Sequence, residues 1–131
     1  MNHRLTTKDK GLLRGGIRRV FSRSALRIAV IDACLIKHTD VSRSRVKAWG
    51  KCNDCKKPTP KSYLVVDHIL PVISIEETAD VITFDEFIDR LWCHPSNLQA
   101  LCKECHEVKT QAENKLRRQF KKQVKNTITQ G

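Results

Sequence analysis

Apolar side chains recur at helical spacing over residues 13–35, at Leu13, Ile17, Val20, Phe21, Ile28, Ile31 and Leu35. On a helical wheel they fall within an arc of about 100°, which predicts one amphipathic helix with a stripe for a core. Arg14, Arg18, Arg19, Arg23 and Arg27 lie on the other side. Residues 40–62 carry Ser, Lys, Pro and Gly and read as a loop with a tight turn at Cys52-Asn53-Asp54-Cys55. The β-branched and apolar run Tyr63-Leu64-Val65-Val66-Asp67-His68-Ile69 predicts a buried strand ending near Pro71. Thr83, with Glu86 three residues later, has the capping-box pattern of a short helix over 83–92 whose apolar side is Phe84, Phe87, Ile88 and Leu91. His94-Pro95 stops it, and Leu98-Gln99-Ala100-Leu101 is long enough for a second strand. From His106 onward, Val108, Ala112, Leu116, Phe120 and Val124 predict a helix to about residue 124, with residues 126–131 frayed.

Length and composition bound this pattern to one compact unit with tails, because 131 residues at 40% apolar content supply one modest core. No run approaches the roughly 18 to 20 apolar residues of a membrane-spanning helix. The first residues lack a signal peptide's apolar stretch, so a cytoplasmic location with reduced thiols is expected. The formal charge is +11 and unevenly spread. Residues 1–51 hold 13 basic and 3 acidic side chains (+10), residues 52–101 hold 4 and 8 (−4), and residues 102–131 hold 8 and 3 (+5). The excess points to a polyanionic partner, most simply nucleic acid, although a basic balance also keeps proteins dispersed. The arginine side of the first helix fits an ordinary solvated face as well as phosphate contact; the lack of any acid between Arg14 and Asp32 favours contact.

Four of the six cysteines are paired by spacing, as Cys52-x-x-Cys55 and Cys102-x-x-Cys105. A two-residue gap lets both sulfurs face one metal, and two such pairs make a closed, tetrahedral, structural zinc site. A thioredoxin-like redox pair would need a βαβ pattern that is missing. Cys102-Lys103-Glu104-Cys105-His106 also matches a c-type haem attachment sequence, but the only methionine is Met1 and no export signal is present. Cys34 and Cys93 read as small buried residues.

Asp67-His68 interrupts the apolar strand, and burying such a pair is costly without a metal or hydrogen-bond partner. Taken alone, the dipeptide is better explained by a turn where the strand reaches the surface. His106 follows the fourth cysteine at the start of the last helix, where it fits either a cation ligand or a hydrogen-bonded neighbour of the zinc site.

Together, Val66-Asp67-His68-Ile69-Leu70-Pro71, Asn97-Leu98-Gln99-Ala100-Leu101-Cys102 and Cys105-His106-x-x-Lys109-Thr110, framed by the cysteine pairs, resemble the His-Asn-His (HNH) endonucleases that carry a four-cysteine zinc site. The resemblance covers residues 52–110, under half of the chain. Small basic HNH proteins are frequent in bacteriophages, which implies a phage origin and the cytoplasm of an infected host. The resemblance implies an α+β fold: a ββα-metal (His-Me finger) core stapled by the four-cysteine zinc site, with a basic N-terminal and a basic C-terminal helix. Residues 1–47 would be the helical N-terminal segment, 48–125 the nuclease domain and 126–131 the tail. The family's insertion would fall at about 74–95, hold most of the acidic middle, and face away from DNA.

The activity implied is metal-dependent hydrolysis of DNA phosphodiester bonds. His68 would be the general base, Asp67 and His106 would hold Mg²⁺, Mn²⁺ or another divalent ion, and Asn97 would orient the His68 loop through its backbone. Arg14, Arg18, Arg23, Arg27, Lys109 and Arg117 are the candidates for phosphate contact. DNA is the expected partner, with a phage terminase or other packaging protein as a further one. Neighbouring side chains on a regular strand point to opposite faces, so the backbone is expected to leave regular geometry at His68. Two other classes remain open: a zinc-stabilised DNA-binding module in which Asp67 and His68 are structural, and an interaction protein whose basic helices dock on an acidic partner in phage assembly.

Overall fold

A computed structural model describes residues 3–36 and 48–130, and it is an α+β molecule with two small antiparallel sheets. Residues 40–47 of the expected loop, and the expected boundary at residue 47, lie outside the described residues.

The single N-terminal helix expected over 13–35 is two helices, α1 (Thr7–Phe21) and α2 (Ala25–Cys34). Two serines cause the break by offering the backbone alternative hydrogen bonds. The Ser22 hydroxyl donates to the Arg19 carbonyl at 2.6 Å, and the Ser24 hydroxyl caps α2 by accepting the Arg27 N–H at 3.2 Å. The break splits the apolar arc: Phe21 and Ile31 are buried, while Leu13, Val20 and Ile28 stay exposed. α1 starts earlier than its apolar stripe, because Thr6 and Asp9 form a reciprocal capping box.

Where only loop was expected, β1 (Trp49–Lys51) and β2 (Pro58–Pro60) pair as an antiparallel hairpin around the first cysteine pair. Gly50 of β1 sits at a close approach: a Cβ there would stand 2.4 Å from Leu64 Cδ1 and 2.8 Å from Cys34 Sγ, so a larger residue would force those side chains to shift. The second sheet pairs β3 (Leu64–His68) with β4 (Leu98–Cys102), from Leu64 opposite Cys102 to His68 opposite Leu98. Between them lies α3 (Phe84–Leu91), capped by the Thr83 hydroxyl, which accepts the Glu86 N–H at 3.1 Å. The last helix, α4, begins directly after β4 and runs over Lys103–Gln130, past the fraying expected from residue 126.

The core has three parts. Phe21, Val72, Phe87, Leu91 and Leu98 join α1, α3 and β4; Ile31, Leu64 and Ala100 lie under α2; Leu101 packs with Cys52 and Cys102. The segment expected as an insertion is thus central, since its helix supplies Phe87 and Leu91. Arg90 ties this segment together, donating to both carboxylate oxygens of Glu77 and to the Val72 carbonyl.

The expected apolar stripe of α4 does not face the core. Val108, Leu116 and Val124 are exposed, and Phe120 is only partly covered. Instead a half-buried polar row, His106, Lys109, Glu113 and Arg117, lies inward, because the end of β3 that it meets carries Asp67. No helix among the described residues is long and apolar enough to cross a membrane.

Burial sets the expected response to truncation. Phe87→Ala is expected to lower unfolding free energy by about 3–5 kcal/mol, whereas Leu116→Ala, at a site 48% exposed, stays within about 1 kcal/mol. Urea denaturation of both variants checks this.

Candidate functional site

The four paired cysteines converge. β1 runs into Cys52, and the chain turns back through residues 53–55, with the Lys56 N–H donating to the Cys52 carbonyl at 3.0 Å. Lys56 completes this turn in the left-handed region, at φ 62°. Cys102 ends β4, and Cys105 lies in the first turn of α4, its N–H donating to Cys102 Sγ at 3.5 Å. The four sulfurs all lie within 4.8 Å of one another. The Cys55–Cys102 separation of 3.9 Å is close to the edge of a tetrahedron with metal–sulfur bonds of about 2.3 Å. It is far beyond a disulfide bond, and all four thiols are free.

Burial pushes the Cys52 thiol up, but backbone hydrogen bonds from Cys102, Cys55 and Asp54 outweigh it and bring it down to about 6. The Cys105 thiol is pushed up, first by its hydrogen bond to Cys102 and then by burial. Full ionisation of four sulfurs this close needs a cation among them, and the donor set can hold a metal such as zinc. Cys34 and Cys93 are half-buried and take no part in the cluster.

The second constellation forms at the end of β3. Asp67, opposite Gln99 in the ladder, accepts a hydrogen bond from Gln99 Nε2 on Oδ2 at 3.0 Å. Gln99 in turn accepts one from Asn53 Nδ2 at 2.9 Å, so two amides link the cysteine turn to the carboxylate. Lys109 Nζ is 3.2 Å from the same Oδ2. The other oxygen, Oδ1, is 3.8 Å from His106 Nε2. Ligand bonds of about 2.1 Å allow two atoms at that separation to hold one divalent ion, so this pair fits the cation that the HNH resemblance implies.

His68 faces different neighbours. Its Nε2 is 2.8 Å from the Leu91 carbonyl oxygen, and its ring packs on Phe21 with centroids 5.4 Å apart. A carbonyl only accepts, so Nε2 carries the proton and Nδ1 keeps the lone pair in the neutral ring. The ladder stays regular through His68, opposite Leu98, and the main chain leaves it only at Ile69, one residue later than expected. Asp67 and His68 therefore face α4 and α3 respectively, yet both line one cleft of about 690 Å³, because the strand stops there. Asn97 holds the chain just beyond: its Oδ1 accepts the Leu70 N–H at 2.9 Å, its Nδ2 donates to the Leu70 carbonyl at 3.3 Å, and its own carbonyl accepts the Ile69 N–H at 2.8 Å.

The candidate phosphate contacts divide. Arg18 and Arg27 line the cleft beside His68. The Arg18 guanidinium stacks over Phe87 at 5.1 Å from the ring centroid. Burial, then repulsion from Arg14 and Arg117, holds it below its ordinary pKa. Arg14 is half-buried in α1, and Arg23 is exposed at the helix break. Arg117 lines the cleft but spends its guanidinium on the Ser74 and Ile73 carbonyls, at 3.1 and 2.6 Å. Lys109 departs from expectation: it turns inward onto Asp67, the His68 carbonyl and Glu113. Gln99, Asn53 and Glu113 had no sequence signal, since each acts through a partner brought by strand register or helix docking. Only the pairing of β3 with β4 could have put Gln99 opposite Asp67.

Cys102→Ser is expected to abolish stoichiometric zinc binding and to lower the thermal midpoint by about 10 °C or more, and a strong chelator should act in the same direction on the unmodified chain. Zinc analysis with thermal denaturation followed by circular dichroism reads both. No protein-family model, curated protein or solved structure matches the chain.

Proposed function

We propose that the chain is a metal-dependent endonuclease of HNH type, hydrolysing DNA phosphodiester bonds in the cleft at the end of β3. In this reading β3, β4 and the start of α4 are its ββα-metal core, and the four cysteines hold a structural zinc. The observation that carries it is the meeting of Asp67, His68 and His106, from two distant segments, in one cleft rimmed by Arg18 and Arg27.

His68 acts as general base, accepting a proton from the attacking water on Nδ1 while the Nε2–H bond to the Leu91 carbonyl fixes ring and tautomer. Asn97 braces the Ile69–Leu70 turn and so keeps the base in place. Asp67 and His106 would hold the divalent ion, which would supply charge neutralisation on the scissile phosphate and the leaving oxygen. Arg18 and Arg27 bind backbone phosphates and carry no sequence information. A second reading, a zinc-stabilised DNA-binding module without catalysis, is favoured by one observation: His68 and Asp67 both already have structural partners, Leu91 and Lys109.

A plasmid-nicking assay separates the two. Cleavage is expected with Mg²⁺ or Mn²⁺, none with EDTA, and a loss of about 100-fold or more for His68→Ala with DNA binding kept. Metal-independent or His68-independent cleavage overturns the mechanism, and binding without cleavage establishes the module. Arg18→Ala and Arg27→Ala are each expected to weaken duplex binding irrespective of sequence and to reduce the log–log salt slope by about one, as read by fluorescence anisotropy across a salt series.

A further inference from the structure

Lys109 lies on a helix with open solvent along most of its length, yet its ammonium points inward and its side chain is only 24% exposed. It reaches three oxygens: Asp67 Oδ2 at 3.2 Å, the His68 carbonyl at 3.1 Å, and Glu113 four residues further along α4. Confining a long, charged side chain costs both entropy and hydration, so its position reflects the charge it meets. That charge is Asp67, 11% exposed, which would otherwise be a nearly buried carboxylate with one neutral amide on Oδ2 and the His106 imidazole 3.8 Å from Oδ1.

We propose that Lys109 is a built-in counter-ion for Asp67 that a divalent cation must displace, and that Glu113 receives the ammonium when it leaves. The inference rests on the reading of Asp67 and His106 as the cation's ligands. Gln99 and Lys109 both engage Oδ2, which leaves Oδ1 toward His106. An ion on Oδ1 is then close to the ammonium across a single carboxylate, and like charges at that range repel strongly in a half-buried site. Glu113 already bonds Lys109 from one helical turn away, so the ammonium can move onto it without leaving its face of α4. The arrangement also selects for charge. A monovalent ion offers Asp67 no more charge than the ammonium already does, whereas a divalent ion does.

Mn²⁺ binding to the zinc-loaded chain, followed by electron paramagnetic resonance of the free ion, tests this. Lys109→Met is expected to bind Mn²⁺ about tenfold tighter or more. Lys115→Met, which removes an exposed lysine from the same helix, should stay within about twofold. In the unmodified chain, Mg²⁺ should accelerate acetylation of Lys109, measured by mass spectrometry, because the displaced ammonium becomes accessible. Binding that depends on Asp67, as shown by its loss in Asp67→Asn, but is unchanged or weaker in Lys109→Met overturns the counter-ion role alone. Acetylation of Lys109 that Mg²⁺ leaves unchanged or slows does the same, even if Lys109→Met does not fold. Mn²⁺ binding indifferent to Asp67→Asn overturns the cation site itself and the inference with it.

Discussion

Four thiols within 4.8 Å of one another cannot all ionise unless a cation lies among them, and much of the molecule depends on that constraint. The cluster joins the β1–β2 turn, through Cys52 and Cys55, to the junction of β4 and α4, through Cys102 and Cys105. It thereby fixes where α4 begins. His106 follows the fourth cysteine directly, so the residue that approaches Asp67 is one position from the sulfur cluster. A second link runs through side chains, from Asn53 inside the first cysteine pair to Gln99 and on to Asp67. The cysteine turn and the cleft are thus joined through side chains, although no thiol lines the cleft.

The end of β3 sets the second constraint. Asp67 is nearly buried, and the groups around it share its charge: an amide and an ammonium on one oxygen, an imidazole near the other. This explains why α4 meets the sheet with its polar row. An amphipathic helix usually puts its apolar stripe inward, but here the inward position faces a carboxylate, and Val108 and Leu116 are left outside. His68 has a different environment one residue later, against Phe21 and the Leu91 carbonyl. Strand alternation separates the pair, and the strand's end brings both back to one cleft.

The elements outside the HNH-like motifs are integral to this site. α3 holds His68 through its last carbonyl and fills the core with Phe87 and Leu91. α1 and α2 bring Arg18 and Arg27 to the rim. The segment expected as an acidic insertion facing away from DNA therefore helps support the proposed base. Its acidity is partly consumed internally, since Glu77 is held well below the usual carboxylate range, first of all by its hydrogen bond to Arg90.

What the sequence determined by itself was local. The cysteine spacing, the apolar runs of β3 and β4, the Thr83 cap and the polar interruption at Asp67-His68 all act within a few residues, so a linear reading finds them. The β1–β2 hairpin escaped because its strands are three residues each and owe their pairing to the turn between them and to packing on α2 and β3, not to any apolar pattern. The break in the first helix escaped because a wheel averages over the serines that cause it. Only the tertiary structure decided which way Lys109 and Arg117 turn, that Gln99 faces Asp67, and that α3 is core. Each of these depends on a partner distant in the chain, such as Lys109 with the His68 carbonyl, Arg117 with that of Ile73, or Phe87 with Phe21. A charge on a helix looks the same in sequence whether it meets water, a phosphate or a buried carboxylate; the energy that chooses among them arises only when the elements pack.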